Sequence, residues 1–110
     1  LDGASLVGSN LSKAAFAAAK LAKTNFAKCD LTEALFVKAV APDATFSECQ
    51  LTYADFSSAR LAGATFAKAN LAGANLHAIE DQRVNWDGAN KKGVRGTDPE
   101  RVTGEAWKIV

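Results

Sequence analysis

The chain has 110 residues, enough for one domain and too few for two. Its apolar fraction of 48% and charged fraction of 23% are those of an ordinary globular protein, which excludes a disordered chain. Thirteen basic and twelve acidic residues leave a net charge of +1, which gives no electrostatic basis for binding nucleic acid or an anionic membrane surface.

A five-residue repeat runs through the first 76 residues. Every fifth position from Leu1 to Leu76 is Leu or Phe, except Ala41, and from position 4 to 74 a small residue lies two positions before each of them. A period of five fits neither a helix nor a long strand, and on a helix it would expose most of the large side chains. Short extended segments joined by turns avoid this, because residues two apart in a strand share a face and can both point inward.

The spacing of the phenylalanines predicts the number of sides. They recur every ten residues with leucines between them, so a coil of twenty residues places like over like, whereas a coil of fifteen does not. We therefore predict an all-β solenoid, a parallel four-sided β-helix of about four coils. Two opposite sides should hold aromatic columns: Phe16, Phe36 and Phe56 in one, and Phe26, Phe46, Phe66 and Trp86 in the other.

Individual repeats resemble a known family. Ala-Asn-Leu-Ala-Gly at 69–73, Ala-Asp-Phe-Ser-Ser at 54–58 and Cys-Asp-Leu-Thr-Glu at 29–33 are similar to the Ala-(Asp/Asn)-Leu-X-X motif of the pentapeptide-repeat family. The resemblance covers about residues 1–80 and implies a right-handed quadrilateral parallel β-helix. The sequence departs from the motif at Ala41-Pro42, where we expect a dent in one wall. It also lacks Asp or Asn in the second position at several repeats: Lys20, Leu35, Val40 and Arg60.

The tail has a different pattern. The register is expected to be lost after Leu76, which divides the chain into a β-helix at 1–80 and a degenerate last repeat with a C-terminal cap at 81–110. Asp98 and Pro99 have the sequence of a helix start, so the cap should contain a short helical turn over the last coil. No matching cap precedes Leu1. Either the natural chain continues upstream or two copies pack end to end.

Few residues are suited to catalysis. His77 is the single histidine and is expected to be a surface imidazole. Cys29 and Cys49 are twenty residues apart and should stack in adjacent coils, where they could form a disulfide bridge or remain free buried thiols, the interpretation that we favour. We therefore expect no catalytic residue, no metal site and no cofactor. Free thiols and the lack of a leader segment favour a cytoplasmic location.

The outer surface is the remaining place for function. Because Phe36 and Ala39 point inward, their neighbours Leu35, Val37, Val40 and Pro42 should point outward, beside alanines of neighbouring coils: Ala15, Ala17, Ala22 and Ala62. Such an exposed apolar patch is typical of a protein-interaction site. Local accommodation of the small Ala41 is the alternative explanation.

Two functions follow from these observations. The first is a non-catalytic scaffold or adaptor that binds a protein partner or associates with itself through a coil end, with no nucleic acid and no membrane involved. The tail, at 86–90, 97–99 and 105–107, loosely resembles the ends of pentapeptide-repeat proteins or domains found beside bacterial type VI secretion components, which implies a role in effector loading or adaptor binding. The alternative comes from family members that mimic DNA and bind gyrase. That role needs a strongly negative rod, whereas residues 1–80 contain seven acidic and seven basic residues.

Overall fold

The computed structural model describes residues 1–95, which wind into a four-sided rod. Every fifth residue forms a single-residue parallel bridge to the residue twenty positions later, from Ser5 with Asn25 to Asn75 with Arg95. Residues 1–20, 21–40, 41–60 and 61–80 form coils 1 to 4, and residues 81–95 form three sides of coil 5. Within these residues the strands are no longer than one bridge each and there is no helix. The rod measures 34 × 21 × 21 Å.

A tight turn forms each corner of the rod. In the turn at 36–39, the Ala39 N–H donates to the Phe36 carbonyl at 2.9 Å, and Lys38 has a left-handed backbone with φ of 60°. The equivalent position is left-handed at every corner from Gly3 to Gly93, although most of these residues are not glycine. A left-handed non-glycine residue costs about 1–2 kcal/mol. Ladder bonds between coils offset this cost, such as that from the Lys38 N–H to the Ser57 carbonyl.

The interior consists of stacked side chains of the same kind. Phe36 and Phe56 stack with ring centroids 4.6 Å apart, and Phe46 and Phe66 stack at 4.8 Å. Rings of the two columns meet edge to face across the interior, at 5.5–5.9 Å. The leucines of coils 2 to 4 are fully buried on the other two sides: Leu21, Leu31, Leu51, Leu61 and Leu71. The two aromatic columns and the twenty-residue coil are therefore confirmed.

Coil 5 keeps the backbone of the other coils but changes the inward side chains. Bridges continue to Arg95, so the expected loss of register after Leu76 is wrong for the backbone. Trp86 continues one aromatic column, 4.9 Å above Phe66. Two inward positions that hold leucine in coil 4 hold Asp81 and Lys91 here, and the Lys91 ammonium lies 5.4 Å from the centroid of the Trp86 ring. Backbone pairing, which does not depend on side-chain type, explains why the coil continues past the apolar repeat.

The predicted helical turn at Asp98 and Pro99, and the cap that it would form, lie outside the described residues and stay predictions. The division of the chain at residue 80 also stays a prediction, and the bridges from Thr65 to Asn85 and from Asn75 to Arg95 carry the backbone coil past that residue. Residues 1–95 contain no helix with the length and apolarity that crossing a membrane requires.

Candidate interaction surface

Four apolar side chains come together at one corner of the rod. Leu35 and Val37 flank the buried Phe36 on one side, and Val40 and Pro42 flank the buried Ala41 on the next. We call these four residues, Leu35, Val37, Val40 and Pro42, the apolar corner. Lys38 occupies the left-handed turn position between the two sides.

The backbone forces these side chains outward. Phe36, Ala39 and Ala41 are fully buried, so their neighbours along the strand point to the opposite face. Leu35 is 44% exposed, and the other three residues of the apolar corner are half-buried. A leucine with this exposure and three half-buried apolar neighbours leave apolar surface in contact with water.

The coil below extends this surface. Ala15 bridges to Leu35, and the Ala18 N–H donates to the Val37 carbonyl at 2.8 Å, which places residues 15–18 directly beneath the apolar corner. Ala15 and Ala17 are exposed, and Ala22 and Ala62, below and above Pro42, are half-buried. The structure therefore brings the sequence-predicted residues and their alanine neighbours into one area.

The apolar corner replaces side chains that support turns elsewhere in the rod. Higher in the column of Leu35, the Asp55 carboxylate accepts a hydrogen bond from the Ser57 N–H at 2.9 Å, and the Asn75 side chain accepts one from the His77 N–H at 3.0 Å. Leucine has no acceptor and cannot make this bond to Val37. Each such bond stabilises a fold by about 1 kcal/mol. Leu35 therefore gives up a stabilising contact for an exposed apolar side chain.

Pro42 fits its position without strain. It is the second residue of the turn closed by the bond from the Ala44 N–H to the Ala41 carbonyl, and proline is favoured there. Because proline has no N–H, a polar side chain at the position of Val40 would find no donor to cap at that turn. Ala41 remains fully buried in its wall, between Leu21 and Leu61.

Charged residues border the apolar corner. Lys20 bridges to Val40 from the coil below, and Arg60 bridges to it from the coil above. The Arg60 Nε lies 3.7 Å from a carboxylate oxygen of Glu80, but both side chains are more than half exposed. This pair is weak because water screens it. Basic groups therefore stand on both sides of Val40.

The two cysteines are structural. Both are free and buried, as predicted. The Cys49 thiol donates to the Phe26 carbonyl at 2.8 Å, and the Cys29 thiol donates to the Leu6 carbonyl at the same distance. Burial raises the pKa of Cys49 to about 12, so it is a neutral thiol at physiological pH. A neutral buried thiol is neither a nucleophile nor a metal ligand.

A shallow groove that the sequence pattern did not predict lies at another corner. It is lined by residues of coils 3 to 5: Tyr53, Ala72, Gly73, Lys92, Gly93 and Arg95. The signal is present in the twenty-residue period, which places two glycines in succession above Tyr53. His77, the single histidine, is exposed on a different column.

Comparisons with known proteins agree with this geometry. A family model described as a pentapeptide repeat region matches residues 1–76 and 19–94. A search of curated proteins found no significant match. A pentapeptide repeat protein from the thylakoid lumen of Arabidopsis thaliana is 32% identical, with a TM-score of 0.88 over 94% of this chain and 72% of its own.

Two more distant structures were also found. QnrB1, a plasmid-mediated fluoroquinolone resistance protein, is 18% identical over all of this chain and 81% of its own, with a TM-score of 0.48. HetL, involved in heterocyst differentiation regulation in the cyanobacterium Nostoc, is 19% identical over 86% of this chain and 62% of its own, with a TM-score of 0.39. The family match covers most of the chain, and the fold is the right-handed quadrilateral β-helix that the family resemblance implies. The chain belongs to the pentapeptide repeat family.

Proposed function

We propose that this protein is a non-catalytic interaction module that binds a protein partner through the apolar corner. The observation that supports this most is the exposed Leu35 at a position where the same column has the turn-capping Asp55 and Asn75. An exposed apolar residue in place of a stabilising polar one indicates a contact made outside the chain. The interior supports the absence of catalysis, because its inward positions in coils 2 to 4 are filled by apolar and small side chains.

The borders of the apolar corner define the partner's chemistry. Lys20 and Arg60 stand on either side of Val40. A complementary surface is therefore apolar at its centre and has carboxylates at its edge. The resemblance of the C-terminal tail to domains found beside type VI secretion components would make this partner a component of a type VI secretion assembly.

Site-specific photocrosslinking in the native source tests the proposal. A photoreactive residue at Val37 should give one dominant adduct, whereas the same residue at Ala67, the equivalent turn position of another corner, should not. An adduct of twice the chain's mass identifies a second copy as the partner. Equal labelling from the two positions, or none, contradicts the proposal.

Substitutions provide a second readout. Val37→Asp with Val40→Asp should abolish association and leave the far-UV circular dichroism spectrum unchanged, because both side chains point outward. The matched control is Ala67→Asp with Asn70→Asp, which places two carboxylates at the same two positions around the corner at Lys68. Association that survives the first pair, or that is lost equally with the second, contradicts the role of the apolar corner.

Self-association through a coil end is the alternative contact. Leu1 is 60% exposed and Val7 50% exposed in coil 1, and Leu6 and Leu11 are only partly buried. Leu6→Asp should then abolish a dimer seen by analytical ultracentrifugation, while Val37→Asp should not.

The DNA-mimic role is disfavoured by the equal numbers of acidic and basic residues in 1–80. Inhibition of gyrase supercoiling by micromolar protein would revive it.

A further inference from the structure

We propose that the groove at Tyr53, Gly73 and Gly93 binds a small aromatic phosphate of the size of a mononucleotide. The groove has a volume of about 570 Å³, within the range of small-ligand sites. It is separate from the apolar corner, so this inference does not depend on the proposed protein partner.

The floor of the groove is bare backbone. The third turn position of this corner is Tyr53 in coil 3, Gly73 in coil 4 and Gly93 in coil 5. A Cβ at Gly73 would come within 2.5 Å of the Tyr53 ring, so the ring lies over the backbone of Gly73. Among the described residues, a Cβ at Gly93 would make ordinary van der Waals contact with the Gly73 backbone, 3.7 Å from its nitrogen, and would clash with nothing. Apart from the neighbours of Gly93 in the chain, no described side chain comes within 4 Å of this Cβ, so a flat ligand ring can stack on the exposed part of the Tyr53 ring with Gly93 beside it.

Part of the Tyr53 ring is accessible for stacking with the ring of a ligand. The Tyr53 side chain is 64% exposed although its ring packs on Gly73, so part of the aromatic surface faces the groove. Its backbone is fixed by a hydrogen bond from the Tyr53 N–H to the Ala72 carbonyl at 3.0 Å. Stacking of a nucleic-acid base on an aromatic side chain is worth about 1–3 kcal/mol.

Two basic residues line the groove and can hold an anionic group. The Lys92 backbone is fixed on both sides, since its N–H donates to the Asn90 side chain at 3.0 Å and its carbonyl accepts from the Gly73 N–H at 3.0 Å. The Arg95 backbone bridges to Asn75 in the coil below. An ammonium and a guanidinium within one groove favour phosphate, because each forms charge-assisted hydrogen bonds with its oxygens.

Nuclear magnetic resonance titration of the full 110-residue chain tests the proposal. The probes are AMP, adenosine and inorganic phosphate. We expect AMP to shift the Gly73 and Gly93 amide resonances with a dissociation constant below about 1 mM. Adenosine and phosphate should each bind at least about fivefold more weakly, because each lacks one of the two contacts. The absence of shifts at 10 mM AMP, or equal binding of either fragment, overturns the proposal.

Variants locate the site. Tyr53→Ser removes the ring and keeps a residue type found at the left-handed position of Ser58. Tyr53→Ser and Arg95→Gln should each weaken AMP binding about fivefold or more. Lys68→Gln, a charge removal at a different corner, should change it less than twofold. Equal effects of Lys68→Gln and Arg95→Gln would show binding by general charge and overturn the site.

Discussion

Replacing Phe46 with Ala removes a ring that contacts four others. Phe46 is fully buried, stacks on Phe26 at 5.1 Å and Phe66 at 4.8 Å, and meets Phe36 and Phe56 edge to face at 5.5 Å. Truncating a buried Phe to Ala costs about 3–5 kcal/mol in all, and contacts with several other rings place a residue in the upper part of this range. We therefore expect a loss of about 4–5 kcal/mol, a large part of the ~5–15 kcal/mol that stabilises a domain.

The comparison with Phe16→Ala makes this estimate testable. Phe16 is only partly buried and has two ring contacts, with Phe26 at 5.5 Å and Phe36 at 5.1 Å. Its truncation should cost about 2 kcal/mol. Urea unfolding followed by far-UV circular dichroism measures both losses. Equal losses, or a loss below about 1 kcal/mol for Phe46→Ala, would refute the idea that stacked columns stabilise the rod.

Three further predictions concern the turns, the apolar corner and the thiols. Ala18→Gly should raise the free energy of unfolding by about 0.5–1 kcal/mol, because Ala18 has φ of 58° and glycine adopts this backbone without strain; a thermal melt that stays the same or falls contradicts it. Leu35→Asn should also stabilise the fold, by about 0.5–1 kcal/mol, because the Asn side chain can accept a turn-capping hydrogen bond from the Val37 N–H. The same variant should weaken partner binding, and improved binding would refute the role of Leu35. The free energy of unfolding should fall between about pH 9 and pH 12. The unfolded thiol of Cys49 loses its proton near its ordinary pKa of 9.0, whereas the folded thiol, with a pKa of about 12, keeps it. Cys49→Ala should therefore flatten this part of the pH profile of urea midpoints.

The inward positions could be predicted from the sequence because one rule governs them. A side chain that recurs every five residues must fill the same kind of space in every repeat, so the aromatic columns and the leucine walls follow from spacing alone. The outward direction of Leu35 and Val40 follows from the same alternation. The stacking of Cys29 under Cys49 also follows, since both lie twenty residues apart at an inward position.

Coil 5 could not be predicted because its stability does not come from apolar periodicity. Asp81 and Lys91 interrupt the sequence pattern, but ladder hydrogen bonds such as that from the Phe66 N–H to the Asn85 carbonyl, at 2.7 Å, hold the backbone in register. The groove was missed for a related reason. Glycine at a turn is ordinary in a single repeat, and only its alignment above Tyr53 in three dimensions leaves a space.

The outward residue before each inward Leu or Phe provides a way to separate structure from function in this fold. In the column that contains Asn70 and Asn90, almost all of these outward residues cap a turn or carry an amide. The Asn90 amide of this column donates a hydrogen bond to the Asn70 side chain at 3.2 Å. Two other columns depart from this rule: Lys20, Val40, Arg60 and Glu80 in one, and Ala15 and Leu35 in the lower part of the next. These departures meet at the apolar corner, although the coil geometry there is the same as elsewhere. Since the fold does not require them, a contact outside the chain is the physical reason that best accounts for their grouping.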